Sequence, residues 1–420
     1  MSILKHIACR MMLAGVTFLA GTAGASAETL TLEQAEKLAL ERDTVLSMQR
    51  AQSLAFLDKS VAADTLPDPT LKLGLINFPT DTFARDQEPM TQTRIAIQQM
   101  LPRGDSLEIK SKRMRTASVQ TDAAALNREK MLLMQVRKEY LELLYWFRAE
   151  KIVKQNKVLF KKLVRITQSQ YAAGLQNQQD VIRSDLELDM LDDRLDAIRT
   201  KQQQVQARLV KLVGTSAINI QIDSMLPELA TVNLSALDLN THPKIMIEDA
   251  KVDNSQYGID LARQSYKPSW MIEVGYGFRD GNNPNGTERA DFASAMVSFD
   301  IPLFTRDKQD RQVAANRQMY QASMDAREEI LRQLQSDFEQ TKANWDRLEE
   351  RLQRYRKIIV PQSKENAKAA LYAYQSRRGD FTSLMRAQIT ELETGLKHIR
   401  LQVNYRQAQA KLLYLAGEEK

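Results

Sequence analysis

The chain is poor in the residues that build catalytic and metal centres. Cysteine occurs once, at Cys9, and histidine three times in 420 residues. That excludes a disulfide framework and any Cys/His set with structural-zinc spacing. Glycine (15) and proline (11) are also scarce, so long stretches run without a helix breaker. No later stretch matches the ~20 consecutive apolar residues of a membrane-spanning helix. No Gly-x-x-x-x-Gly-Lys phosphate loop and no Gly-x-Ser-x-Gly nucleophile elbow occurs. Gly275-Tyr276-Gly277 lacks the third glycine of a dinucleotide loop and lies inside a strand pattern. An enzyme is therefore not expected. The net charge of +6 spreads over 59 basic and 53 acidic residues. Such interleaving suits solvated helices and gives no basic patch for nucleic acid.

What is present begins with an export signal. Lys5 and Arg10 precede a short apolar run, Met11–Ala20, and Ala25-Ser26-Ala27 is a small-residue cleavage site. Residues 1–27 are read as a signal peptide, which takes Cys9 with it. An exported chain without a membrane helix enters a membrane only as strands.

The body of the chain is written twice. Gln204, Gln206, Ala207, Arg208, Leu209 and Gly214 recur 203 residues later as Gln407, Gln409, Ala410, Lys411, Leu412 and Gly417. Tyr171 and Arg183 recur as Tyr374 and Arg386. A long-period repeat sets the architecture. The division is a first repeat over 28–217, a linker over 218–240, a second repeat over 241–417 and a tail, 418–420.

Each copy reads as helix, two strands, a very long helix, a turn and a returning helix. Thr31–Asp64 has helical spacing, with Thr31 and Gln34 as a capping box. Strands are expected near 70–78 and 93–101, then near 269–279 and 292–301. The clearest places Trp270, Ile272, Val274, Tyr276 and Phe278 on one face, with Met271, Glu273, Gly275, Gly277 and Arg279 opposite. Asp105–Tyr171 carries no proline or glycine over 67 residues, about 100 Å of helix at 1.5 Å per residue. Gly174 marks a turn before a helix from Gln178 to Val213. In the second copy Arg306–Tyr374 reads as one helix despite Pro361, Gly379-Asp380 as the turn, and Thr382–Leu415 as the return.

Alternating strands with aromatics are the weak signature of a membrane β-barrel, and four strands are too few to close one. Three chains would supply twelve. Helices longer than a ~30 Å bilayer core must project into water, here the periplasm.

The repeated strand–helix–turn–helix order, Tyr171-x-x-Gly174 followed by Asp180-Val-Ile, and the ends Leu212-Val-Gly214 and Leu415-Ala-Gly417 together resemble the TolC family of outer-membrane efflux channels. The resemblance covers about Leu30 to Gly417. It implies a mainly α fold with a small β part: a homotrimer with a twelve-stranded outer-membrane β-barrel continued by a long α-helical periplasmic barrel. It also implies docking to a periplasmic adaptor and an inner-membrane pump of the RND type. Leu66-Pro-Asp-Pro69, Leu73-Gly-Leu-Ile-Asn-Phe-Pro79 and Glu88-Pro-Met-Thr91 are similar to the first hairpin of the heavy-metal-efflux branch. The expected function is a passive conduit for heavy-metal cations. A drug-efflux or type I protein-secretion channel, and a periplasmic coiled-coil scaffold without a pore, are the alternatives.

No cofactor and no resident metal site are expected. The 17 methionines are soft ligands for Cu(I) but also ordinary core filler; Met90, Met100, Met114, Met131 and Met134 form no clear cluster, and only His242 and His398 follow the signal. The family places a gate at the helix tips. The candidates there, for gating or adaptor contact, are Asp180, Arg183, Asp185, Arg377, Arg378, Asp380 and Arg386. Asp180 and Arg183 have the spacing of a helical ion pair. The equivalents of Asp180 and Gly174 are Ser383 and Arg377, which makes Asp380 the substitute carboxylate. In the barrel, Lys72, Glu273 and Arg279 are expected to face the lumen, and Trp270, Ile272, Val274, Tyr276 and Phe278 the lipid.

Overall fold

The computed structural model describes residues 29–215, 221–222, 225–232 and 238–417. The expected signal peptide, much of the expected linker and the tail over 418–420 lie outside them. Strand β1 (Thr29–Leu30) leads into helices α1 (Leu32–Arg42) and α2 (Thr44–Ala63). The first hairpin is β2 (Thr70–Ile76) and β3 (Gln92–Leu101), followed by α3 (Ser106–Ala172) and α4 (Gln178–Val213). Strand β4 (Gln221–Ile222) pairs in parallel with β1. The second half runs α5 (Pro243–Gln264), β5 (Trp270–Phe278), β6 (Phe292–Phe299), α6 (Gln309–Arg354), α7 (Val360–Gln375) and α8 (Phe381–Leu415).

Two helices depart from the sequence pattern. The expected single helix over Thr31–Asp64 is broken at Asp43, which is extended (φ −71°, ψ 109°). Its carboxylate caps α2 by accepting from the Leu46 N–H at 2.7 Å, and Arg128 of α3 holds the other oxygen at 2.6 Å. The capping box at the start of α1 is present: Gln34 N–H donates to Thr31 Oγ1 at 3.2 Å, and Thr31 N–H to Gln34 Oε1 at 2.9 Å. The second long helix is interrupted by a π-helical segment, Tyr355–Ile359, just before Pro361. A proline inside a helix removes one N–H and crowds the carbonyl four residues back; a one-turn π widening accommodates both.

The helices pack along several separate clusters. Leu32, Ala35 and Ala39 of α1 insert between α3 and α4, against Leu132, Val136, Tyr140, Leu209 and Val213. Small residues bring α2 against α3: Ser53 and Ser118 share a hydrogen bond at 2.8 Å, both buried. Toward the tips, Phe160 and Leu163 of α3 meet Leu191 and Leu195 of α4 and Leu384, Met385 and Leu392 of α8. Between the halves, Arg400 of α8 grips Glu142 of α3 through two bonds of 2.6 and 3.0 Å. Its guanidinium lies 3.4 Å from the Tyr145 ring centre. Charge pairing and cation–π contact thus lock the two halves at mid-length.

The two hairpins form one sheet. Its order is β2-β3-β5-β6, all antiparallel, so β3 of the first half pairs with β5 of the second over Thr93–Leu101. Within the described residues, β2 and β6 are left as open edges.

Candidate functional site

The sheet separates two chemistries. The register puts Leu71, Ile97, Val274 and Ala295 on one rung and Leu73, Ile95, Tyr276 and Ala293 on the next, all on the same face. This face is apolar and uncovered: Leu73 is 72%, Val274 60% and Phe278 48% exposed. Trp270, Ile272 and Tyr276 share it, and Trp270 packs on Phe299 with ring centres 4.7 Å apart. An uncovered face of this size has to meet lipid or another protein.

The opposite face is polar. Glu273 is buried and lies between two cations, with Lys72 Nζ at 2.7 Å and Arg94 Nη2 at 2.8 Å. Arg94 also donates to Ser294 Oγ at 3.1 Å, which ties β3 across β5 to β6. The alternation gives room for this. A Cβ on Gly275 would stand 2.9 Å from Arg94 Nε, so a side chain there would displace the guanidinium. Lys72 and Glu273 thus lie on one face of the sheet and pair there. Arg94 was missed because its partner becomes visible only once β3 is known to pair with β5. Its signal was its place on the polar side of β3, between Thr93 and Ile95.

Arg279 has a different job from open lumen lining. Its Nε donates to the Ala290 carbonyl at 2.6 Å and its Nη1 to that of Pro89 at 3.0 Å, while the guanidinium covers the Phe292 ring at 3.9 Å. Arg289 donates to the carbonyls of Asp86 and Glu88. Together these arginines clasp the two hairpin loops. At the other end of the sheet, Arg103 bonds Asp300 and the Ser265 carbonyl, fixing the strands to α5.

The tips are built alike despite different sequences. In the first, Leu175 N–H donates to Gln170 O at 2.8 Å and Gly174 N–H to Tyr171 O at 2.9 Å. In the second, Arg378 N–H donates to Ala373 O at 2.8 Å and Arg377 N–H to Tyr374 O at 3.1 Å. These are equivalent helix-ending motifs. Gly174 has φ +72° and Arg377 φ +58°. An arginine therefore occupies the left-handed position that glycine fills in the first copy.

The remaining tip residues divide between bonded and exposed. Arg183 donates to Thr382 Oγ1 at 3.1 Å, joining the two tips. Among the described residues it makes no ion pair with Asp180, so the expected helical pair is replaced by this longer-range bond. Asp380 caps α8, accepting from Ser383 N–H at 2.8 Å and Ser383 Oγ at 2.7 Å. These bonds hold its carboxyl below the usual carboxylate range. Arg377, Arg378 and Arg386 are exposed, and Asp180 and Asp185 half-buried. Among the described residues no group of three His, Cys, Asp or Glu side chains is placed to hold a metal ion, and no helix is long and apolar enough to cross a membrane.

This arrangement can be set against known proteins. Residues 234–418 match the outer membrane efflux protein family. Over those residues the chain is similar to that family. Its members are outer-membrane transport proteins, not enzymes. The fold extends the likeness to the rest of the chain. VceC, an outer membrane protein of Vibrio cholerae, superposes with a TM-score of 0.76 at 16% identity, over 92% of this chain and 96% of that one. The Campylobacter jejuni CmeC outer membrane channel gives 0.77 at 12% identity, over 98% and 94%. The Neisseria gonorrhoeae MtrE channel, solved in its open state, gives 0.72 at 16% identity, over 92% and 88%. At such identities the likeness is one of fold. No curated protein sequence matches the chain.

Proposed function

We propose that three copies of this outer membrane efflux protein assemble into one channel. Each sheet supplies four strands of a twelve-stranded barrel, and the long helices form a periplasmic tunnel. The observation that carries this is the open, two-faced sheet. An edge strand in lipid leaves backbone N–H and C=O groups without partners, at several kcal/mol each. Both β2 and β6 are such edges, and the face beside them is apolar and exposed. Pairing β2 of one copy with β6 of the next closes the barrel, turns the apolar face to lipid and encloses the Lys72–Glu273–Arg94 face in water. Helix α2 supports the same assembly, since Met48, Leu54, Leu57 and Val61 stay exposed along it.

In this reading 28–217 and 241–417 are the two efflux repeats, joined by 218–240. The tips, with Asp180, Arg183, Asp185, Arg377, Arg378, Asp380 and Arg386, narrow the tunnel and meet a periplasmic adaptor that connects to an RND-type pump in the inner membrane. The cargo is heavy-metal cations, supported by the resemblance of the first hairpin to the metal-efflux branch. The test is growth of a deletion strain on copper, silver, zinc, cobalt, dyes and antibiotics. Selective metal sensitivity, restored by the intact gene, is expected. Broad drug sensitivity, or none, removes the metal assignment.

A further inference from the structure

The polar face of the sheet carries three methionines that the separate hairpins do not bring together. Met100 of β3 is directly opposite Met271 of β5. Met271 is opposite Ser298 of β6, and the next rung holds Gln98, Glu273 and Met296 in line. Met296 is thus the diagonal neighbour of Met271. Directly opposed residues have Cβ atoms ~4.5–5.5 Å apart and diagonal ones ~7–8 Å. Met271 is thus the central member, within side-chain reach of Met100 on one strand and of Met296 on the other, while Met100 and Met296 approach an ion from opposite sides of β5.

The environment of the three is unusual for methionine. A Met in a core fills gaps among apolar neighbours. Here Met100 is 43% and Met296 50% exposed, on the face that carries Glu273, Lys72 and Arg94. Gln98 Nε2 donates to Met271 Sδ. The same amide leaves its Oε1 buried with no hydrogen-bond partner. Three thioethers and an unpartnered amide oxygen therefore gather on one polar face beside a carboxylate, with the Met271 sulfur accepting from Gln98.

We infer that Met100, Met271 and Met296, with Gln98, form a binding site for a soft monovalent cation, Cu(I) or Ag(I), on the luminal side of the sheet. Thioether sulfur selects such ions over Zn(II), Co(II) and other harder cations. The site lies one to two rungs from the Leu101–Trp270–Phe299 end of the sheet, where the strands meet the helices. It is formed within one chain, so a trimer presents three at one height. Lys72 and Arg94 already neutralise Glu273, so little anionic charge remains to hold the ion tightly. That suits a transit station, which must release what it binds. The luminal position and the cargo class rest on the channel reading proposed above.

The test uses the full chain purified in detergent, titrated calorimetrically with silver nitrate in chloride-free buffer, beside M100L/M271L/M296L. Leucine replaces methionine with little change of volume, so the sheet should survive; circular dichroism checks that it does. One saturable Ag(I) per protomer is expected in the native chain, lost in the triple variant, and not displaced by excess Zn(II). Undiminished uptake by the folded triple variant, or displacement by Zn(II), overturns the site. Should the triple variant fail to fold, M271L alone must weaken uptake. The channel's cargo fails separately: a deletion strain that grows normally on copper, silver, zinc and cobalt removes metal export whatever the titration shows.

Discussion

Replacing Arg377 by glycine should stabilise the second tip, although it deletes a charged side chain. Arg377 sits at φ +58° where its repeat partner Gly174 sits at φ +72°. The left-handed conformation costs an L-residue roughly 1–2 kcal/mol. Glycine removes that strain but adds unfolded-chain freedom costing about 0.4–1 kcal/mol. The balance is about 1 kcal/mol in favour of Arg377→Gly. The hydrogen bonds that close the turn, Arg378 N–H to Ala373 O and Arg377 N–H to Tyr374 O, are backbone bonds and remain. Local opening of the turn should therefore fall by roughly fivefold. Amide hydrogen exchange over residues 370–380 of the purified protein reads this directly. Arg377→Ala is the control, because it removes the charge and keeps the strain; it should exchange no more slowly than the native chain. Equal slowing in both variants, or none in Arg377→Gly, would refute the backbone argument. If it holds, an energetically unfavourable arginine stands at the tip, and its side chain is then the part to test for adaptor contact.

Other outcomes follow from the same geometry. Asp380→Asn keeps an α8 cap and removes the charge, whereas Asp380→Ala removes both and loses about 1 kcal/mol of helix capping. If the charge closes the tip, both variants should raise single-channel conductance and admit excluded antibiotics; if only Ala does, the cap was responsible, and if neither does, the gate role fails. His242 is buried, its Nδ1 accepting from Lys244 N–H and its Nε2 facing the Tyr414 carbonyl, and burial pushes its pKa down to about 4. The neutral form is favoured in the fold, so its contribution, up to roughly 3 kcal/mol, is present above pH ~6.5 and lost as pH falls toward 4. Thermal melting across that window should show a steeper loss in the native chain than in His242→Asn, and parallel losses would contradict it. Glu273→Gln leaves Lys72 and Arg94 without their counter-charge, so bilayer reversal potentials should shift toward anions; an unchanged potential would remove this face from the ion path.

Much of the architecture could be read before any coordinates, because it rests on periodicity and on missing breakers. The alternation over Trp270–Phe278 fixed which side chains share a face, and the breaker-free run after Asp105 fixed the 67-residue helix. Contacts distant in sequence were harder. Asp43 looks compatible with a continuous helix until Arg128, 85 residues away, is seen to hold its carboxylate. The Glu273 triad and the methionine cluster both need the β3–β5 pairing, which no single hairpin reveals. The second turn has its glycine at Gly379, two residues past the left-handed position, and only the 203-residue offset from Gly174 points to the backbone of Arg377.

The central claim is that one chain is a third of a barrel. The direct measurement is the mass of the particle extracted from outer membranes in detergent, by light scattering with the detergent subtracted. The account predicts three chains per particle, held together before heating and released by it. A single chain per particle, or a protein recovered from the soluble periplasm, would contradict it.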